Sequence, residues 1–270
     1  TDPPATQQTL TLQEAVDLAV QQHTAGELSK AAEIYQQILE ADPDQPQALH
    51  LLGVIAHQRG EHERAVDLIE KALTLKPDYA EAHCNLGISY KELGRLDDAA
   101  TSCRRAIEIK PDYAEAHNNL GNILRELERL EEAVSCYKNA IAIKPDYAEA
   151  YNNQGGALLE LNKLEEASAS LQRALSLKPD YAEAHNTLSI ALWKLDSLDE
   201  AVASCRKAIA LKPDFPDAHN NLGIALQSLG RLKDAIDSFR KALDLRPEFA
   251  TAHYTLGNCL LYTSPSPRDA

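Results

Sequence analysis

Methionine is absent from the chain, tryptophan occurs once and phenylalanine three times, so aromatic residues make up only 5% of 270 positions. A core with so few aromatics must pack through small and aliphatic side chains, which suits closely approaching helices. No apolar run reaches the roughly 18 residues that a membrane-spanning helix needs, and the opening TDPPATQQ lacks the charged and apolar regions of a secretory signal. Lysine and arginine number 27 against 41 aspartates and glutamates, a formal net charge of −14. Such a surface repels the phosphate backbone of nucleic acid and favours cationic partners. Cys84, Cys103, Cys136, Cys205 and Cys259 show no CxxC spacing and are odd in number. They read as buried free thiols in a reducing, cytoplasmic setting. GxGxxG, a Walker loop, GxSxG and HExxH are all missing, so neither a cofactor nor a catalytic constellation is expected.

What the chain does have is a beat of 34 residues. Pro43, Pro77, Pro111, Pro145, Pro179, Pro213 and Pro247 keep it, as do Gly53, Gly87, Gly121, Gly155, Gly223 and Gly257, with Ser189 in the one gap. Two alanine series follow, one from Ala65 to Ala235 and one from Ala72 to Ala242. A fixed period of this size means one supersecondary unit copied along the chain, each copy burying its apolar face on its neighbours.

Residues 78–111 show what one copy does. Asp78 and Glu81 have the spacing of a capping box, which predicts Asp78 as the N-cap of a first helix, A. Ala82, Leu86 and Tyr90 share one face of it. Gly94 is placed as the glycine that ends it. A second helix, B, carries Ala99, Cys103, Ala106 and Ile107 on its apolar stripe and stops at Lys110, which Pro111 pushes out of the α region. Helix A is expected at about 46–59, 80–93, 114–127, 148–161, 182–195 and 216–229. Mid-helix Gly87 costs about 1 kcal/mol against alanine, a cost that makes sense where helix B lies too close for a Cβ.

The spacing of Leu86, Gly87, Tyr90, Ala99, Ala106 and Pro111 resembles the tetratricopeptide repeat, over residues 12–258. The resemblance implies an all-α solenoid of αα-hairpins, a right-handed superhelix whose concave surface is lined by the A helices. The first copy departs most, with Ala19 in the glycine place and Ile38 for the second alanine. Residues 1–11 are expected to form a disordered arm. Residues 259–269, CLLYTSPSPRD, resemble a translated sequencing adapter, so 259–270 are expected to be a non-native tail on a coding sequence that continued beyond Asn258.

Asparagine also keeps the beat. Asn85, Asn119, Asn153 and Asn221 stand two residues before the glycine place, with Thr187 and Thr255 at the remaining equivalents, and Asn118, Asn152, Asn186 and Asn220 stand one residue earlier. Asparagine inside a helix costs up to about 0.7 kcal/mol against alanine, so its retention asks for a use. Its amide both donates and accepts, and a row of them can pair with the backbone of an extended peptide. The arrays of protein O-linked N-acetylglucosamine transferases are similar, and that resemblance implies peptide contact by these asparagines. Bonding between neighbouring helices, or copying of one ancestral residue by recent duplication, is the plainer use. A carboxylate clamp is disfavoured by Glu81, Glu115 and Glu149, four residues before asparagines of the ladder. His83, His117, His185, His219 and His253 recur one repeat apart, too far for a shared metal ion, and are assigned to packing.

The sequence therefore points to a non-enzymatic scaffold that binds protein or extended peptide segments through its A helices. The alternatives are the substrate-presenting arm of a larger glycosyltransferase and a purely structural spacer.

Overall fold

The structure, a computed structural model, describes residues 11–263, with side chains described to Leu261. Among the described residues every regular element is helical: α1 (Leu12–Thr24), α2 (Leu28–Ala41), α3 (Pro46–Gln58), α4 (His62–Leu75), α5 (Ala80–Glu92), α6 (Leu96–Ile109), α7 (Ala114–Glu126), α8 (Leu130–Ile143), α9 (Ala148–Glu160), α10 (Leu164–Leu177), α11 (Ala182–Lys194), α12 (Leu198–Leu211), α13 (Pro216–Ser228), α14 (Leu232–Leu245) and α15 (Ala250–Thr263). The odd-numbered helices from α3 to α13 are the expected A helices. Two compact units divide the chain between Leu127 and Glu128. In the first, hairpins α1/α2, α3/α4 and α5/α6 stack in order and α7 packs on α6; in the second, α8 precedes hairpins α9/α10, α11/α12 and α13/α14, and α15 packs on α14. The chain is an all-α solenoid of αα-hairpins.

The predicted stops hold. Lys110 leaves the helical region, with φ −134° and ψ 87°, just before Pro111. At the end of α5 the Gly94 and Arg95 amides bond to the Lys91 and Tyr90 carbonyls, the crossed pair that closes a helix on a left-handed residue. Gly94 supplies that residue at φ 72°, whereas Glu128, Asn162 and Asp196 occupy the equivalent place with φ near 60° in other copies. A side chain there costs about 1–2 kcal/mol, less for Asn and Asp, so these turns keep their shape through the helices they join.

The starts differ from expectation. Tyr79, not Asp78, is the N-cap of α5, and it makes no side-chain cap bond. Glu81 therefore sits at N2, and the two carboxylates turn to the following helix B, α6, and to its end instead: Asp78 pairs with Arg105 at 3.1 Å and Glu81 with Lys110 at 3.4 Å. The Asp–Glu spacing is a pattern of surface ion pairs. A complete capping box does occur at Thr11 and Glu14, opening α1. Thr11 thus belongs to the helix rather than to an N-terminal arm, whose other residues lie outside the described ones.

Glycine at the A–B contact behaves as predicted. A Cβ on Gly87 would meet the Cys103 Sγ at 2.6 Å, one on Gly155 the Leu171 Cγ at 2.5 Å, and one on Gly223 the Phe239 ring at 2.5 Å. At the one exception Ser189 is buried and donates its hydroxyl to the Asn186 carbonyl of its own helix at 2.6 Å. Gly257 has nothing within 4 Å, since α15 is the last described helix. That helix runs on through Cys259 to Thr263, past the boundary expected at Asn258. No helix-breaking residue intervenes before Pro265; residues 264–270 lie outside the described ones.

Candidate functional site

The recurring histidines brace linkers. The ring Nε2–H of His83, His117, His185, His219 and His253 donates to the carbonyl of the proline six residues earlier, at 2.8–3.1 Å. Among the described residues no group of three or more His, Cys, Asp or Glu side chains could hold a metal ion. Beside each linker a cation lies over an aromatic ring, from Lys76 on Tyr79 at 4.4 Å to Arg246 on Phe249 at 4.6 Å. Four of the five cysteines are buried, and none is in a disulfide.

The asparagine ladder is built by contacts between consecutive A helices. In the first unit Asn85 Nδ2 lies 2.8 Å from His50 Nε2, and Asn119 Nδ2 donates to Cys84 Sγ at 3.3 Å. In the second, Asn221 Nδ2 donates to Asn186 Oδ1 at 2.9 Å. Each joins a residue to the one 35 positions earlier, so the ladder ties an A helix to its predecessor. Asn85, Asn119, Asn153 and Asn221 are half-buried; Asn118, Asn186 and Asn220 are buried, and Asn152 donates weakly to Asn153 Oδ1 at 3.4 Å. The outer rung therefore faces out of the A helices while the inner rung lies between them.

Two inner carbonyls are orphans. Asn152 Oδ1 and Asn220 Oδ1 are buried without a partner. In both cases the next copy carries threonine in place of the donor asparagine, and the hydroxyls of Thr187 and Thr255 turn back to their own helix, on Glu183 O and Thr251 O at 2.9 Å. Restoring the donor should relieve the orphan, a buried unpaired group being worth about 1–3 kcal/mol. Thr187→Asn is expected to raise stability by about 1 kcal/mol, read as a higher urea midpoint; an unchanged or lower midpoint would show that the Asn152 carbonyl needs no donor.

Beside Asn85 the first unit has a small cleft of about 180 Å³. Val54, Ile69 and Ile88 give it apolar walls, and His57, Gln58, Asn85 and Ser89 a polar rim. His57 Nδ1 lies 3.2 Å from the Ser89 hydroxyl, and burial holds its pKa below the ordinary value, with His62 adding to the effect. Lys91, a basic residue on the same helix, pairs with Glu126 at 3.1 Å, which leaves little free cation for a terminal carboxylate.

One exposed side chain escaped the sequence reading. Trp193, the single tryptophan, is 38% exposed and donates its indole N–H to Ser228 Oγ at 2.9 Å. Its rarity and its place, matching Lys91 three copies earlier on an outward position of the A helix, were the signals available.

Helix pairs on a 34-residue beat, locked by glycine and alanine and ending at proline, define a tetratricopeptide repeat protein. The chain belongs to the family of the cilia and flagella-associated protein 70 C-terminal domain, which matches residues 6–222, and residues 216–249 match the tetratricopeptide repeat itself. No curated protein matches it. Among solved structures it is similar to a chain of the APC/C hetero-tetramer Cut9–Hcn1, with TM-score 0.79 and 18% identity over 93% of this chain and 49% of that one. The chain thus spans about half the length of that relative. It is also similar to YrrB, described as a TPR protein with an unusual peptide-binding site, with TM-score 0.56 and 23% identity over 69% of this chain and 96% of that one. TTC0263, a thermophilic TPR protein of Thermus thermophilus, gives TM-score 0.57 and 28% identity over 68% and 100%. Among the described residues no helix is long and apolar enough to cross a membrane.

Proposed function

We propose that the chain is a non-catalytic binding module for extended protein segments. The outer asparagines take the peptide backbone: Asn85 and Asn119 in the first unit, Asn153 and Asn221 in the second. Asn118, Asn152, Asn186 and Asn220 support them from the inner rung. The observation that carries this reading is the cleft beside Asn85, where an amide able to pair with a peptide group borders an apolar recess of about 180 Å³ suited to one aliphatic side chain. The inter-helix bonds use the Nδ2 of Asn85, Asn119 and Asn221, so the backbone N–H groups of a ligand are received mainly by the Oδ1 atoms. A cytoplasmic setting fits thiols that form no disulfide and are mostly buried.

Each amide pair is worth about 0.5–1.5 kcal/mol net, so one asparagine matters little and several together matter greatly. Replacing Asn119, Asn153 and Asn221 by alanine should leave the circular dichroism of the helices unchanged, because alanine is the better helix former. Affinity for dodecapeptides selected on the parent chain should fall about tenfold or more, the factor supplied by about 1.4 kcal/mol. A triple variant that binds those peptides as tightly as the parent would leave the ladder with its inter-helix role alone.

A further inference from the structure

Trp193 lies in the last turn of α11, where Leu188, Ala191 and Leu192 are buried and it is not. An indole left in solvent forfeits the burial that makes this side chain valuable in cores and interfaces. Its ring is nonetheless held, because the indole N–H is fixed on Ser228 at the end of α13. The ring borders an open concavity of about 610 Å³ within the second unit, where Leu164 and Leu198 add apolar surface and Asn162, Lys194 and Asp196 form the rim. The helix starts at this edge are acidic: Glu165 and Glu166 lie in the first turn of α10, Asp199 and Glu200 in that of α12. With Asp196 and Asp234 they outnumber the basic groups of the same edge, Lys163, Lys194, Arg231 and Lys233.

A held aromatic ring with a carboxylate at its rim and acidic helix starts beyond it is a receptor for a cation, above all for the planar guanidinium that stacks on an indole. We propose that Trp193 is the floor of a subsite that accepts an arginine side chain of a bound peptide, with Asp196 at its rim as the counter-charge. The proposal rests on the peptide-binding reading above and gives it a preference for basic segments. It also agrees in sign with the net charge of −14.

Because Trp193 is the only tryptophan, its fluorescence reports on this site alone. The probes are an N-acetylated, C-amidated decapeptide of alternating glycine and arginine and its counterparts with glutamine or glutamate in place of arginine. The arginine peptide should shift Trp193 emission saturably, and the other two should not. Trp193→Leu, a change at an exposed position, should weaken binding of the labelled arginine peptide about threefold, within the range for an exposed cation–aromatic contact, and leave the glutamine peptide unaffected. Emission that ignores the arginine peptide, or responds equally to the glutamine peptide, overturns the proposal, as does a Trp193→Leu variant that binds the arginine peptide like the parent. The Asn119, Asn153 and Asn221 triple variant separates the two readings. It should keep the emission response to arginine, so loss of ladder binding and loss of the subsite are seen independently.

Discussion

Alanine in place of Gly223 is expected to destabilise the chain, and alanine in place of Gly257 to stabilise it, although both glycines occupy the same place in their repeats. A Cβ on Gly223 would come within 2.8 Å of three atoms of the Phe239 ring, which is itself fully buried and has no room to withdraw. Overpacking of this kind costs about 1–3 kcal/mol, against about 1 kcal/mol gained from replacing a mid-helix glycine. The net loss is therefore up to about 2 kcal/mol. Gly257 meets nothing within 4 Å, so only the helix-propensity gain remains. Urea unfolding of both variants checks the pair, and Gly223→Ala combined with Phe239→Leu should recover part of the loss if the ring is the obstacle. Equal shifts of the same sign at both positions would mean that the A–B contact does not set the glycine.

The second large effect is a loss of stability in mild acid through His50. Its ring is 3% exposed, with Nδ1 3.0 Å from the Tyr79 hydroxyl and Nε2 2.8 Å from Asn85 Nδ2. Burial pushes its pKa from 6.5 down to about 4, with Glu81 opposing and Lys76 assisting. The unfolded chain therefore binds this proton first as pH falls. The contribution is fully present above pH 6.5 and is lost progressively towards about pH 4, where the loss amounts to about 3 kcal/mol at about 1.36 kcal/mol per pH unit. Carboxylates add their own acid dependence, so the measurement is the difference between parent and His50→Gln, each unfolded in urea from about pH 7.5 to about pH 4. The parent should lose more stability than the variant across that window. Parallel curves would mean that His50 is protonated in the folded state without penalty.

The period alone made the hairpins legible, because proline, glycine and alanine mark backbone geometry that no side-chain detail overrides. Helix A starts at residues 46, 80, 114, 148, 182 and 216 as expected and ends one residue early each time, where the last residue takes the C-cap. The capping box failed for a related reason. Asp78 and Glu81 have the right spacing, but the turn after Pro77 delays the helix by one residue, and spacing cannot reveal that offset. The histidines were read correctly as structural, although their partner is a linker carbonyl rather than a neighbouring hairpin. In the ladder, residue types and positions were visible, whereas the direction of each amide was not. That Asn221 reaches Asn186, while Thr187 and Thr255 turn away from Asn152 and Asn220, depends on rotamers set by helix packing. Trp193 was overlooked because a lone aromatic has no period to announce it.

The reading as a peptide-binding module stands on the outer asparagines, and their side-chain amides can be watched directly. In protein carrying ¹⁵N only in asparagine side chains, a saturating dodecapeptide selected on the parent should move the Asn85, Asn119, Asn153 and Asn221 amide resonances. The amide of Asn139, on helix B, should stay in place. A saturating peptide that leaves all four outer amides still would contradict the account.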